Sequence, residues 1–275
     1  MSAVPSQFDK AYRRSLQMAL NEKTKSRLAT DGAFGPKSIA VLKQFQQQSN
    51  ILVTGMYDAA THALLEGFIA SKYLTEQDYV NAAKALGCEV AAIKAVVQVE
   101  AAGDGFLPDG RAQILFERHK FYGELLKMVN TTTFTRQHLS DLVAKYPNVI
   151  NPATKGYMSG EKEYDRLNAA IEATKDLPGA AEAAMRSCSW GMFQIMGFNH
   201  KLAGWPDVLQ MVSAMQQSER AQLDGFIHFV KADSRLINAI RQKDWRAFAS
   251  AYNGSGYAAN KYDVKMADAY KLFAK

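Results

Sequence analysis

The chain has 275 residues, of which 48% are hydrophobic and 22% charged, with a formal net charge of +6. That length holds one large domain or two modest ones, and the composition is that of an ordinary globular protein rather than a disordered one. The positive charge favours an anionic partner such as nucleic acid, a membrane surface or a wall polymer. Lys and Arg are scattered without an Arg-rich arm, so charge alone does not choose among these.

The first ten residues lack the apolar core of a signal peptide, and no later stretch is long and apolar enough to span a bilayer. Synthesis in a cytoplasm is expected. Residues 8 to 70 then read as one compact unit. An amphipathic helix carrying Tyr12, Leu16, Met18 and Leu20 leads to the turn Thr30–Pro36. A second helix turns Ile39, Leu42 and Phe45 inward, and after the turn Val53–Asp58 a third carries Thr61, Leu64 and Leu65. One phrase occurs twice: a Gly, one residue, an aromatic, then a helix start. Three short helices suffice for a binding module but offer little room for an enzyme cleft.

The runs Leu16-Gln17, Leu20-Asn21, Asp31-Gly32-Ala33-Phe34-Gly35-Pro36, Phe45-Gln46 and Gly55-Met56-Tyr57-Asp58, with Thr61, resemble the peptidoglycan-binding-domain family of three-helix modules. The resemblance implies attachment to the cell wall and singles out Asp31, Phe34 and Tyr57. Read as plain structure, the Gly and Asp positions are turn chemistry that shapes the module, leaving ligand contacts to side chains outside the motif.

Residues 71–75 read as a linker, and the expected division is 1–72 and 73–275. Thr75-Glu76-Gln77-Asp78 starts a helix that Gly87 stops. Beyond it, helical periodicity predicts segments 88–101, 115–130, 135–145, 161–174, 178–188, 206–216, 218–232, 233–242, 244–253 and 260–273. Alternating strand patterns are missing, apart from room for one short hairpin around Asp109-Gly110. The fold class is mainly α, with a small three-helix module and a larger helical domain.

Within that domain Glu100 stands out. In Ala95-Val96-Val97-Gln98-Val99-Glu100 it continues the stripe of Ile93 and Val96 or Val97, where an apolar residue is expected. Burying a carboxylate there is costly, unless a proton held near neutral pH is the purpose. Gly103 and Gly105 end the helix, placing Glu100 in its last turn; the plain alternative is an exposed, fraying helix end. A second region, Ser187–Asn199, combines glycines with Trp190, Phe193, Gln194 and Asn199. Its aromatics could face sugar rings while its amides orient a polar polymer, or it is a tight turn with core aromatics. A third, Ala251–Tyr257, has Tyr252, Asn253 and Gly254 at a helix end.

In this order, the three regions resemble the superfamily of goose-type lysozymes and soluble lytic transglycosylases. The closer resemblance is to modular phage endolysins with an N-acetylmuramidase domain. It rests on Val99–Phe106, Ile114–Tyr122, Ser189–Gly197, Asp244–Ala249 and Tyr252–Gly254, spanning roughly residues 80 to 272. It implies that Glu100 is the general acid, that Gln194 orients N-acetyl groups or a water, and that Tyr252 and Asn253 line the cleft. Peptidoglycan is then the partner, with no nucleic acid. A monomer is expected, released through a membrane lesion made by another, holin-like protein.

Lysozyme chemistry asks for a second carboxylate. Asp104, Asp109 and Glu117 are candidates, with Glu117 first because Leu115-Phe116 would carry it inside and Asp109 reading as a hairpin-turn residue. A buried ion pair is the other reading of Glu117. In the transglycosylase branch no second carboxylate is needed, since a sugar hydroxyl closes the ring. A non-catalytic wall-binding or virion protein is the alternative of a different class. His62, His119, His138, His200 and His228 form no zinc pattern, so neither metal nor cofactor is expected. Cys88 and Cys188 read as reduced, packed thiols, with a single bridge the alternative.

Overall fold

The computed structural model describes residues 4, 10–100, 105–129 and 133–274. Gly103 and Asp104, a helix stop and a carboxylate candidate, lie outside the described residues. The chain divides into two compact units: Met1–Thr75 with Phe106–Arg111, and Glu76–Gly105 with Ala112–Lys275.

The smaller unit holds α1 (Lys10–Thr24), α2 (Pro36–Gln48) and α3 (Ala59–Lys72). Leu16, Leu20, Leu42, Phe45, Leu65 and Ile69 form its core. Leu64 is exposed, because Thr61, Leu65 and Ile69 fill the inward face of α3. The repeated phrase has a structural cause. Gln17, 1% exposed, accepts the Gly32 N–H (2.8 Å) and donates to Asp31 Oδ1, Ala33 O and Ser38 Oγ. Gln46, fully buried, accepts the Gly55 N–H (2.8 Å) and donates to Thr54 Oγ1, Met56 O and Thr61 Oγ1. Each amide reaches from a helix to pin the turn ahead of the next one. Gly32 and Gly55 have φ of 74° and 69°, a left-handed conformation that costs glycine little.

The hairpin expected near Asp109-Gly110 is present: Leu107 N–H bonds to Arg111 O (2.7 Å), and the Gly110 N–H closes the turn on Leu107 O (2.9 Å).

The larger unit contains α4 (Glu76–Leu86), α5 (Val90–Glu100), β1 (Ile114–Phe116), α6 (Arg118–Met128), α7 (Arg136–Lys145), α8 (Lys162–Ala173), α9 (Ala180–Arg186), β2 (Cys188–Trp190), β3 (Ile195–Met196), α10 (Val208–Gln217), α11 (Glu219–Ala232), α12 (Ser234–Gln242), α13 (Trp245–Asn253) and α14 (Tyr262–Phe273). It is mainly α. The strands form one antiparallel sheet in the order β1-β2-β3, with Ile114 opposite Trp190 and Trp190 opposite Ile195. Residues 115–117 and 188, expected at helix ends, therefore lie in or beside this sheet. Strands of two or three residues are too short for alternation to show in the sequence.

Ala91, Ala92, Ile93, Ala95, Val96 and Val97 are all buried, so α5 is apolar around most of its circumference and serves as a core helix, packed mainly against α14 and α4. Met211, Met215 and Phe226 are also core. Cys88 and Cys188 are both free. Among the described residues no helix is long and apolar enough to cross a membrane.

Candidate active site

Because α5 is central, its last residue emerges from the core rather than from a frayed end. Glu100 is mostly buried. Its Oε2 accepts a hydrogen bond from Asn253 Nδ2 (3.1 Å), at the end of α13. Among the described residues its Oε1 is buried without a partner, and so is Asn253 Oδ1. Burial pushes the carboxyl up from 4.5 to about 7, and the Asn253 hydrogen bond opposes only part of that rise. Tyr252 and Tyr262 lie within electrostatic reach: a charge on Glu100 adds to the burial that raises both phenols.

The turn between β2 and β3 meets α13 at the same place. Gly191 (φ 69°) and Gln194 (φ 48°) are left-handed. A side chain at Gly191 would collide with Gln222, its Cβ 2.7 Å from Gln222 Cδ. Gln194 spends its amide within the turn, donating to Gly191 O (2.9 Å) and accepting from Ser189 Oγ (2.7 Å). Phe193 O accepts the Tyr252 hydroxyl (2.8 Å), and the Phe193 ring stacks on Phe226 at 4.3 Å. Phe226, Phe248 and Tyr252 continue the aromatic cluster that locks α13 to the turn. Trp190 does not offer a face to sugar. It is 2% exposed, and its indole N–H bonds to Met185 O (3.0 Å), because its position in the middle strand points it into the core.

Sequence reasoning missed Gln222 and Tyr262. Gln222, fully buried in α11, accepts the Met192 N–H (2.7 Å) and donates to Gly105 O and Met215 O. It occupies an apolar stripe beside Leu223 and Phe226, the same signal that marked Glu100. Tyr262 carried no comparable mark.

Glu117 follows β1 and precedes α6. Its Oε2 accepts the Tyr157 hydroxyl (2.9 Å). His119 Nδ1 lies 3.2 Å from the same oxygen, an ion-pair distance without hydrogen-bond alignment. Asp109 belongs to the smaller unit, where Arg111 Nε donates to it (2.7 Å) and its other oxygen accepts the Arg111 N–H. It is a turn residue, and its carboxylate is consumed by that turn. Asn199 is half-buried at the end of a 3-10 turn, its carbonyl capping Ala203. A separate cavity of about 660 Å³ between α7 and the end of α8 is lined by Phe134, His138 and Tyr146 and holds none of these groups.

A family model for N-acetylmuramidase matches residues 89–274. The chain belongs to the N-acetylmuramidase family. It is a lysozyme-type glycoside hydrolase, and peptidoglycan is its substrate. A second model, described as a putative peptidoglycan binding domain, matches residues 10–65 of this muramidase. The crystal structure of the Burkholderia AP3 phage endolysin is similar over 94% of this chain and 95% of that one, at 36% identity and a TM-score of 0.66. No curated protein matches.

In the muramidase's binding module Asp31 and Tyr57 are engaged in holding the fold. Asp31 Oδ1 accepts the Ala33 N–H (2.8 Å) within its turn. Tyr57 is 3% exposed, its hydroxyl shared with Tyr12 (2.8 Å) and His62 Nδ1 (3.0 Å). Phe34 is half-buried. Tyr57 alone is closed off, since Asp31 is exposed.

Proposed function

We propose that this muramidase hydrolyses the β-1,4 bond between N-acetylmuramic acid and N-acetylglucosamine, with Glu100 protonating the glycosidic oxygen. One observation carries the reading: a carboxyl held near 7 by burial, with one oxygen engaged and the other unpartnered. A general acid works best with a pKa close to the working pH. The Asn253 amide N–H can only donate, so it holds Oε2 as an acceptor and leaves Oε1 to carry the proton. Asn253 Oδ1, buried and unpartnered beside it, is an acceptor for a donor brought by substrate or water.

Glu117 is the second carboxylate in this reading. Of the candidates it is the one both described and placed in the larger unit, and its tether to Tyr157 fixes its orientation. Tyr252 and Asn253 shape the cleft wall, and Gln194 holds the turn opposite. The module at the N-terminus tethers the enzyme to an insoluble substrate and raises its effective concentration there. The likeness to a phage endolysin supports a lytic role, exerted by a monomer that leaves the host cytoplasm through a holin-like lesion to reach the wall.

Replacing Glu100 by Gln and measuring lysis of outer-membrane-permeabilised cells tests the acid. Undiminished lysis by the folded variant would overturn the assignment. Mass spectrometry of the released muropeptides tests the reaction: reducing ends support hydrolysis, and 1,6-anhydro ends would replace it by transglycosylation.

A further inference from the structure

We propose that residues 151–160 form a saccharide-binding subsite of the muramidase domain, with the Tyr157 ring and the Met158 thioether as its floor. The subsite rests on the chain's acting on a glycan strand, and not on the role given to Glu100.

Tyr157 and Met158 are 48% and 52% exposed, in a loop that needs only to join α7 to α8. The loop is held by an unusual concentration of charge. Glu163, fully buried, accepts the N–H groups of Met158 (2.6 Å) and Ser159 (3.1 Å) on Oε1. Its Oε2 pairs with the buried Arg166 (2.7 Å) and takes the Phe116 N–H from β1. Arg118 donates to the carbonyls of Pro147, Ala153 and Thr154. Lys155 and Ser159 flank the pair at φ of 85° and 61°, where L-residues are disfavoured. Strained backbone of this kind recurs at ligand clamps, and here a buried carboxylate holds it with two large apolar side chains standing in water.

The occupant follows from where the loop is tied. The Tyr157 hydroxyl donates to Glu117, so the phenol is fixed at its polar end and its face stays open. Glu117 directly follows β1, and just before that strand Gln113 O accepts the Gly191 N–H (2.8 Å), the start of the candidate-site turn. About four residues of extended chain, roughly 13 Å, separate the two ends. A glycan strand is long enough to touch both. A pyranose presents an apolar C–H face with hydroxyls at its rim, which suits an aromatic ring and a thioether beside a carboxylate.

Steady-state kinetics on soluble glycan strands test the subsite, with folding checked by circular dichroism. Tyr157→Ala is expected to raise KM about tenfold over Tyr157→Phe, the scale of one stacked ring; both variants lack the tether to Glu117, so they share whatever loss of kcat its release brings. Met158→Ala raises KM less, and Tyr157→Phe, which keeps the ring, by under about threefold. An unchanged KM in Tyr157→Ala would overturn the subsite. So would a Tyr157→Phe variant whose KM is raised as much as that of Tyr157→Ala, since the hydroxyl tether and not the ring would then hold the sugar. The Glu100 assignment fails on a different result, retained turnover in Glu100→Gln.

Discussion

Glu100→Gln separates the chemical role of the carboxyl from its thermodynamic one. The carboxyl moves from 4.5 to about 7 on folding, chiefly through burial. At about 1.36 kcal/mol per pH unit, keeping it ionised in the fold costs roughly 3 kcal/mol. Below pH 4.5 both folded and unfolded chains carry the proton, and the cost is absent. Between 4.5 and 7 the unfolded chain ionises while the folded one holds its proton, so stability falls as pH rises. Above 7 the folded carboxyl ionises too, and the full cost is present. A Gln side chain does not titrate and still accepts the Asn253 N–H. The variant should therefore match the wild type near pH 4 and exceed it by about 3 kcal/mol at pH 8. For a domain of this size that is roughly 6–12 °C in melting temperature. Activity should fall by about 10²–10⁴ below pH 7, the usual worth of a general acid, and by less above it, where the wild-type carboxyl loses its proton. Thermal melts from pH 4 to 8, paired with turbidity assays on permeabilised cells, measure both. A stability gain that does not grow with pH would refute the buried-carboxyl account.

Asn253→Ala removes a hydrogen bond that opposes the rise at Glu100, so the alkaline limb of the activity profile should move to higher pH; a limb that stays put or moves down would contradict this. Gln46→Ala strands the buried Gly55 N–H and frees three acceptors, and should destabilise the binding module by about 2–4 kcal/mol in denaturant titrations. Glu163→Ala leaves Arg166 buried without its partner and should cost the larger unit about 3–5 kcal/mol. A loss below about 1 kcal/mol would show that the 151–160 loop is not held by that pair.

Much of the muramidase was legible in one dimension, because its informative residues break a local rule. Glu100 interrupts an apolar stripe, and Gly32 and Gly55 punctuate helices at a fixed interval before an aromatic. Helical periodicity repeats every few residues, so α7 through α14 lie close to where it put them. What the sequence could not carry was anything set by partners far along the chain. Trp190 has the composition of a sugar platform and became core, since pairing with Ile114 and Ile195 faces it inward. Asp109 and Glu117 are both acidic residues near turns, and only folding assigned one to Arg111 and the other to Tyr157. Gln222 and Tyr262 drew no notice until α11 and α14 brought them to the β2–β3 turn and to Glu100. Local physics, through propensity, turn chemistry and periodicity, determined the elements and marked Glu100. Desolvation and hydrogen bonding depend on groups more than a hundred residues apart, so only the tertiary structure decided that the marked carboxyl is poised near 7 beside Asn253.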